Sequence, residues 1–95
     1  MQIEGQLKKV MNPESGTTKD GKTWKRQAFL IEYQDGKFTK QVSIQAKSDA
    51  VINTISSAKL GDNLLCEINV ESREWNDRFY TDVTAWKVEN KTLGF

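Results

Sequence analysis

The chain has no histidine, and cysteine and proline occur once each among its 95 residues. Without histidine, the commonest general base and the commonest metal ligand are gone. A lone thiol cannot replace them, so a zinc centre, a histidine-dependent triad and an internal disulfide are all excluded. Carboxylates and lysines remain, but nothing in the pattern clusters them into an activated nucleophile or an acid–base pair. The expectation is a protein with no enzymatic activity, no cofactor and no metal. Long apolar runs are missing too, so no segment approaches a membrane span. Met1-Gln2-Ile3-Glu4 does not read as a secretory leader. With a single cysteine, Cys66, compatible with a reducing compartment, these absences point to a soluble cytoplasmic protein without a membrane partner.

A strong excess of one charge is also absent: 14 basic side chains face 13 acidic ones. Affinity for a polyanion therefore cannot rest on net charge alone. The distribution is uneven, however. Between Lys19 and Lys47 there are seven basic residues (Lys19, Lys22, Lys25, Arg26, Lys37, Lys40, Lys47) and three acidic ones (Asp20, Glu32, Asp35). Lysines that guard exposed sheet edges would give the same pattern.

What is present is alternation. Gln2 to Met11 reads as a first strand, with Ile3, Leu7 and Met11 on one side and Gly5 marking a bulge or bend. Asn12-Pro13 ends it, and a polar loop leads to the turn Lys19-Asp20-Gly21-Lys22. Trp24 to Tyr33 forms the second strand, with Phe29, Ile31 and Tyr33 opposite Trp24, Arg26, Ala28 and Leu30. Asp35-Gly36 is a tight hairpin turn into the third strand, Lys37 to Ala46, whose Val42, Ile44 and Ala46 face inward. Ser48-Asp49 caps a short helix reaching about Ala58, with Val51, Ile52, Ile55 and Ala58 as its apolar stripe. Its other residues are poor helix formers, so it needs a surface to dock on. Leu64 to Arg73 is the fourth strand, with Leu64, Cys66, Ile68 and Val70 pointing inward. Asn76-Asp77 turns it into the fifth, Arg78 to Val88. Val88 breaks the parity of Val83 and Ala85, which predicts a bulge near Trp86. Glu89 to Phe95 shows no usable pattern. Residues 1–95 make one domain, and the order strand-strand-strand-helix-strand-strand is that of an all-β, five-stranded OB-fold barrel with one short helix between strands three and four.

In such a barrel the outer face of strands two and three and two flanking loops form the usual groove. The first loop leads from Lys22 into Trp24, Lys25 and Arg26; the second holds Arg73, Trp75, Arg78, Phe79 and Tyr80. Unpaired bases offer a π-face to aromatic side chains and a phosphate to cations. Stacking contributes about 1–3 kcal/mol per base, enough to offset a low net charge. The competing explanations are packing: Trp75 can cover a barrel end, Phe79 or Tyr80 can enter the core, and Trp86 fits a packing role. Outward Leu30 suits a subunit interface or a covering segment.

The run from Ser72 to Val88, Ser-Arg-Glu-Trp-Asn-Asp-Arg-Phe-Tyr-Thr-Asp-Val-Thr-Ala-Trp-Lys-Val, resembles the last two strands of a bacterial family of small OB-fold proteins of uncharacterised function. Ile3-Glu4-Gly5, Ser15-Gly16, Trp24-Lys25-Arg26-Gln27, Phe29 and Leu60-Gly61-Asp62 follow the same pattern. Tyr80-Thr81-Asp82-Val83-Thr84-Ala85 is more distantly similar to the fifth strand of bacterial single-stranded-DNA-binding proteins. That resemblance implies an OB barrel, a single-stranded nucleic-acid partner and a homo-oligomer, dimer or tetramer. The chain departs from it at Asn90 to Phe95, where those proteins usually carry a long acidic-tipped tail; this weighs against a role as a replication hub.

The expectation is non-catalytic, sequence-tolerant binding of single-stranded DNA or RNA. Trp24 and Trp75 stack bases, with Tyr80 beside them, and Lys22, Lys25, Arg26, Lys40, Arg73 and Arg78 meet phosphates. Lys40 shares the parity of the core residues of its strand and fits least well. A protein-interaction or oligomerisation module and an oligosaccharide-binding module are the alternatives, since exposed aromatics serve both.

Overall fold

A computed structural model describes residues 1–92. Its elements are β1 (Gln2–Val10), β2 (Glu14–Thr17), β3 (Thr23–Asp35), β4 (Phe38–Ala46), α1 (Asp49–Ser57), β5 (Asn63–Trp75) and β6 (Arg78–Asn90). The strand order is β1-β5-β6-β4-β3-β2, and β1 also pairs with β3. Two expectations change. The segment read as a polar loop contains a sixth strand, β2, which pairs antiparallel with the start of β3 from Glu14–Arg26 to Thr17–Thr23. With four residues and no apolar alternation, β2 had no pattern to read. The ring of strands also closes more narrowly than a full ladder would. β4 and β6 pair at only two positions, Gln45–Thr84 and Ala46–Ala85, so the circuit of strands completes through a narrow parallel contact.

The inner parity of each strand supplies the core: Leu7 from β1, Phe29 and Ile31 from β3, Ile44 and Ala46 from β4, Leu64, Cys66 and Ile68 from β5, Ala85 and Val88 from β6. Full burial of one such Leu, Ile or Phe contributes about 1.5–3 kcal/mol. Val51 and Ile55 dock α1 against this cluster, with Ile52 and Ala58 half-buried beside it, as the helical spacing required. Ser48 caps α1, its hydroxyl accepting from the Val51 amide.

Both hairpins close through two-residue turns, as read, the first of them one residue later along the chain. Asp35 and Phe38 already pair, so the two loop residues between β3 and β4 are Gly36 and Lys37. Between β5 and β6 they are Asn76 and Asp77, both with positive φ, the geometry that matches strand twist. The bulge lies where parity placed it: Glu67 faces Lys87 while Ile68 faces Ala85, so Trp86 is the extra residue. In β1 the irregularity is not at Gly5. Leu7 pairs with Ile31 and Lys9 with Leu30, leaving Lys8 extra, and the core parity passes from Leu7 to Val10 instead of Met11.

Gly5 has a different task. β1 pairs with β5 through Gln6 and with β3 from Gln6 onward, so it crosses between them at this point. A Cβ on Gly5 would lie 2.2 Å from the Glu32 carbonyl oxygen, which is backbone and cannot step aside.

Val70 was expected inside but is 48 % exposed. β5 and β6 are each 13 residues long and outrun the core: every residue from Asn69 to Thr81 is exposed. They form a two-stranded arm, and inner parity there no longer means burial. A second junction sits at the opposite end of β5. The Asp62 carboxylate accepts from the Lys59 amide and the Asn90 side chain, and its backbone carbonyl accepts from Leu7. These two donors, Lys59 first, hold the Asp62 carboxyl below its ordinary range. The tail read as patternless extends β6 to Asn90; its last three residues lie outside the described ones.

Gly5→Ala should cost at least the roughly 1–3 kcal/mol typical of overpacking, seen as a lower urea midpoint with an unchanged slope. A second test uses Cys66, whose thiol burial pushes from 9.0 up to about 12. The folded thiol keeps its proton where the unfolded one loses it, so its stabilising contribution is whole below pH 9 and lost as pH rises toward 12. Melting temperatures of the parent and Cys66→Ala should therefore converge across that window; a constant gap would contradict it.

Candidate nucleic-acid interface

Side chains at even positions along the first part of β3 (Trp24, Arg26, Ala28, Leu30) point away from the core, because Gln27, Phe29 and Ile31 between them are buried. Trp24 is 42 % exposed and lies across Gly16, its partner on β2. A Cβ at Gly16 would lie 2.7 Å from the indole, so the bare glycine is the ring's seat. Arg26 holds its guanidinium 5.4 Å above the same ring, within cation–π range, while pairing at 2.7 Å with Glu14. That ion pair is exposed and contributes at most about 1 kcal/mol, so a phosphate can compete for the arginine. Glu14 and Gly16 were not read as site residues, for the same reason that β2 itself was missed.

The arm presents the second group. Register pairs Arg73 with Tyr80 and Trp75 with Arg78, and directly opposed residues share a face. All four therefore project from one side of the ribbon, the outer side, while Phe79, Thr81 and Ser72 occupy the other. Trp75 is 67 % and Tyr80 43 % exposed, so neither is packed inside. Arg73 Nε lies 3.6 Å from Asp82, and Arg78 has no carboxylate partner among the described residues. Trp86, read as a packing residue, is exposed because the bulge turns it out of the core.

The two groups belong to one outer surface but lie toward opposite ends of it. Trp24 is three residues before Gln27, whose partner Ala46 pairs with Ala85; Tyr80 is five residues from Ala85 in the other direction. Eight residues at about 3.3 Å each separate the rings by roughly 26 Å along the strands. Next to the Trp24 group a groove of about 240 Å³ is lined by Met11, Asn12, Glu14, Arg26, Ala28 and Gln45.

Two of the expected cations have the core parity of their strands. Lys25 has the inner parity of β3 and pairs at 2.6 Å with Asp49 at the start of α1. It nonetheless lines, with Gly16, Trp24, Arg26, Lys47 and Ser48, one hollow of about 970 Å³, so it stays beside the Trp24 group. Lys40 pairs at 2.6 Å with Asp35 near the far hairpin turn, on the core parity that made it doubtful. Lys22 is exposed in the β2–β3 turn, its carbonyl accepting from the Thr18 amide, and leads directly into β3. Leu30 keeps the outward parity but is half-buried.

A family model described as "Domain of unknown function (DUF3127)" matches residues 2–89. No curated protein matches the sequence. Among solved structures, the fold is similar to Rim1, a mitochondrial single-stranded DNA binding protein of S. cerevisiae, at 13 % identity over 95 % of this chain and 91 % of that one, TM-score 0.72. A small single-stranded DNA-binding protein from Streptomyces coelicolor is similar at 17 % identity, 95 % and 89 % coverage and TM-score 0.55. The SSB domain of a Synechococcus protein is similar at 12 % identity, 94 % and 93 % coverage and TM-score 0.59. Likeness at these identities establishes the shared fold.

In a variant retaining only Trp24 among the tryptophans, Gly16→Ala should unseat the ring and shift its fluorescence to the red with little change in stability. An unaltered spectrum would mean that the indole does not rest on this glycine.

Proposed function

Because the chain belongs to the DUF3127 domain-of-unknown-function family, whose description names no ligand, we propose from its own geometry that it binds single-stranded nucleic acid without catalysis, by base stacking supplemented by phosphate contacts. The observation that carries this reading is the arm: two tryptophan- or tyrosine-to-arginine pairs, Arg73–Tyr80 and Trp75–Arg78, on one exposed face. Each pair sets a ring for a base beside a cation for the adjoining phosphate. Trp24 and Arg26 repeat the combination at the other end of the surface, with Lys22 nearby. Lys25 lines the same hollow as Trp24 and Arg26, and its exposed pair with Asp49 yields to a phosphate as readily as that of Arg26, whereas Lys40 pairs with Asp35 at the far hairpin turn.

Magnitudes favour stacking as the main contribution. The arm's outer face balances Arg73 and Arg78 against Glu71 and Asp82, so its net electrostatic attraction is small. Three stacked bases contribute roughly 3–9 kcal/mol before the strand's ordering cost. The separation of the two groups suits a strand lying along the surface, within the roughly 4–16 nucleotides that single OB folds cover. The fold's similarity to proteins titled as single-stranded-DNA-binding supports the same reading.

Titration with oligo-dT should quench tryptophan fluorescence, and log affinity should fall with log salt by about 0.7 per phosphate neutralised. Trp75→Ala and Trp24→Ala should each weaken binding of a long oligonucleotide by about 1–3 kcal/mol, roughly 5- to 150-fold. An oligonucleotide too short to span both groups should respond to only one substitution. A flat titration at low salt would overturn the proposal, and quenching by glycans instead would reassign the aromatic surface to sugars.

A further inference from the structure

The arm leaves backbone unpaired as well as side chains exposed. β6 pairs with β5 on one side, but on its other side only Thr84 and Ala85 meet β4. From Arg78 to Val83 that edge has no ladder partner among the described residues. A free edge is a template for another strand, and proteins usually guard it with lysine, proline or a bulge. The sequence Arg-Phe-Tyr-Thr-Asp-Val contains neither lysine nor proline, and the bulge at Trp86 lies beyond it. Phe79, 71 % exposed, and Tyr80 are among the residues best suited to strands.

Charge selects the occupant. Glu71 and Asp82 face each other directly across the arm, two carboxylates in a pairing that repels. Arg73, 3.6 Å from Asp82, is the only cation paired with them among the described residues, while Arg78 pairs with none. We propose that the free β6 edge pairs antiparallel with the same edge of a second copy of this chain, about a two-fold axis through Tyr80. In that register Arg78 stands opposite Asp82 of the second copy, and Asp82 opposite its Arg78. Phe79 faces Thr81 of the second copy, and the two Tyr80 rings meet at the axis. The unpaired arginine and the crowded carboxylate satisfy one another twice, which a heterologous partner has no reason to provide. The β5 edge is a poorer candidate, since Arg73 is already engaged and Glu71 and Glu74 guard it. The product is a four-stranded ribbon whose outer face carries two copies of Trp75 and Tyr80.

The test uses the self-complementarity of the register. Arg78→Glu sets carboxylate against carboxylate across the axis, and Asp82→Arg sets arginine against arginine. In sedimentation velocity each variant alone should remain monomeric at concentrations where the parent is dimeric. An equimolar mixture of the two should recover the dimer, because every contact is then of opposite sign. Tyr80→Cys should form an intermolecular disulfide on oxidation, since directly opposed residues lie about 4.5–5.5 Å apart at Cα, whereas Phe38→Cys should not. A parent that stays monomeric at all concentrations would overturn the proposal, as would a dimer unaffected by both reversals. The assay contains no nucleic acid, so a dimer that ignores oligonucleotides removes the binding proposal and leaves this one standing.

Discussion

The exposed aromatic surface depends on the β5–β6 ladder continuing after the core has ended. Register runs unbroken from Ile68–Ala85 to Trp75–Arg78, yet the last apolar residue that β5 buries is Ile68. Beyond it the two strands satisfy each other's backbone groups, and a turn with two left-handed residues matches their twist. Hydrogen bonds, not burial, therefore hold the arm. That leaves Trp75, Phe79 and Tyr80 free to face solvent, where in a core-bound hairpin they would be consumed by packing.

Much of this architecture was legible in the residues. Strict alternation located Phe29, Ile31, Ile44, Leu64 and Cys66 inside, and helical spacing located Val51 and Ile55. The parity conflict between Ala85 and Val88 located the bulge, because burial on one face makes strand phase an all-or-none property. What failed to show were features whose cause lies across the chain. Gly5 resembles any strand glycine until β1 crosses Glu32. Glu14 and Gly16 carry no pattern of their own and acquire meaning only beside Arg26 and Trp24. Val70 obeys the alternation, but alternation cannot say where a core stops.

The candidate site divides along the same line. Residue type and proximity to a turn correctly marked Trp24, Trp75 and Tyr80 as exposed. Their arrangement needed register: a one-residue slip between β5 and β6 would send Arg73 and Trp75 to the face opposite Arg78 and Tyr80. Lys25 has the opposite parity to Trp24 and Arg26 and reaches Asp49 of α1, yet it lines the same hollow as both. Two ends of one surface, rather than one focus, are what the strand order dictates.

The junction at Asp62 also has kinetic consequences. It gathers Leu7, Lys59 and Asn90, drawn from the beginning, middle and end of the chain. Closing such long loops consumes entropy before any contact returns it, and topologies rich in distant pairings fold on slow timescales of about milliseconds to seconds. The hairpins on either side of α1 join near neighbours and can assemble early. Asp62 fastens segments that meet only once both have formed: its carbonyl holds Leu7 and its carboxylate holds Lys59 and Asn90, so both ends of the chain are clasped late and at a single residue.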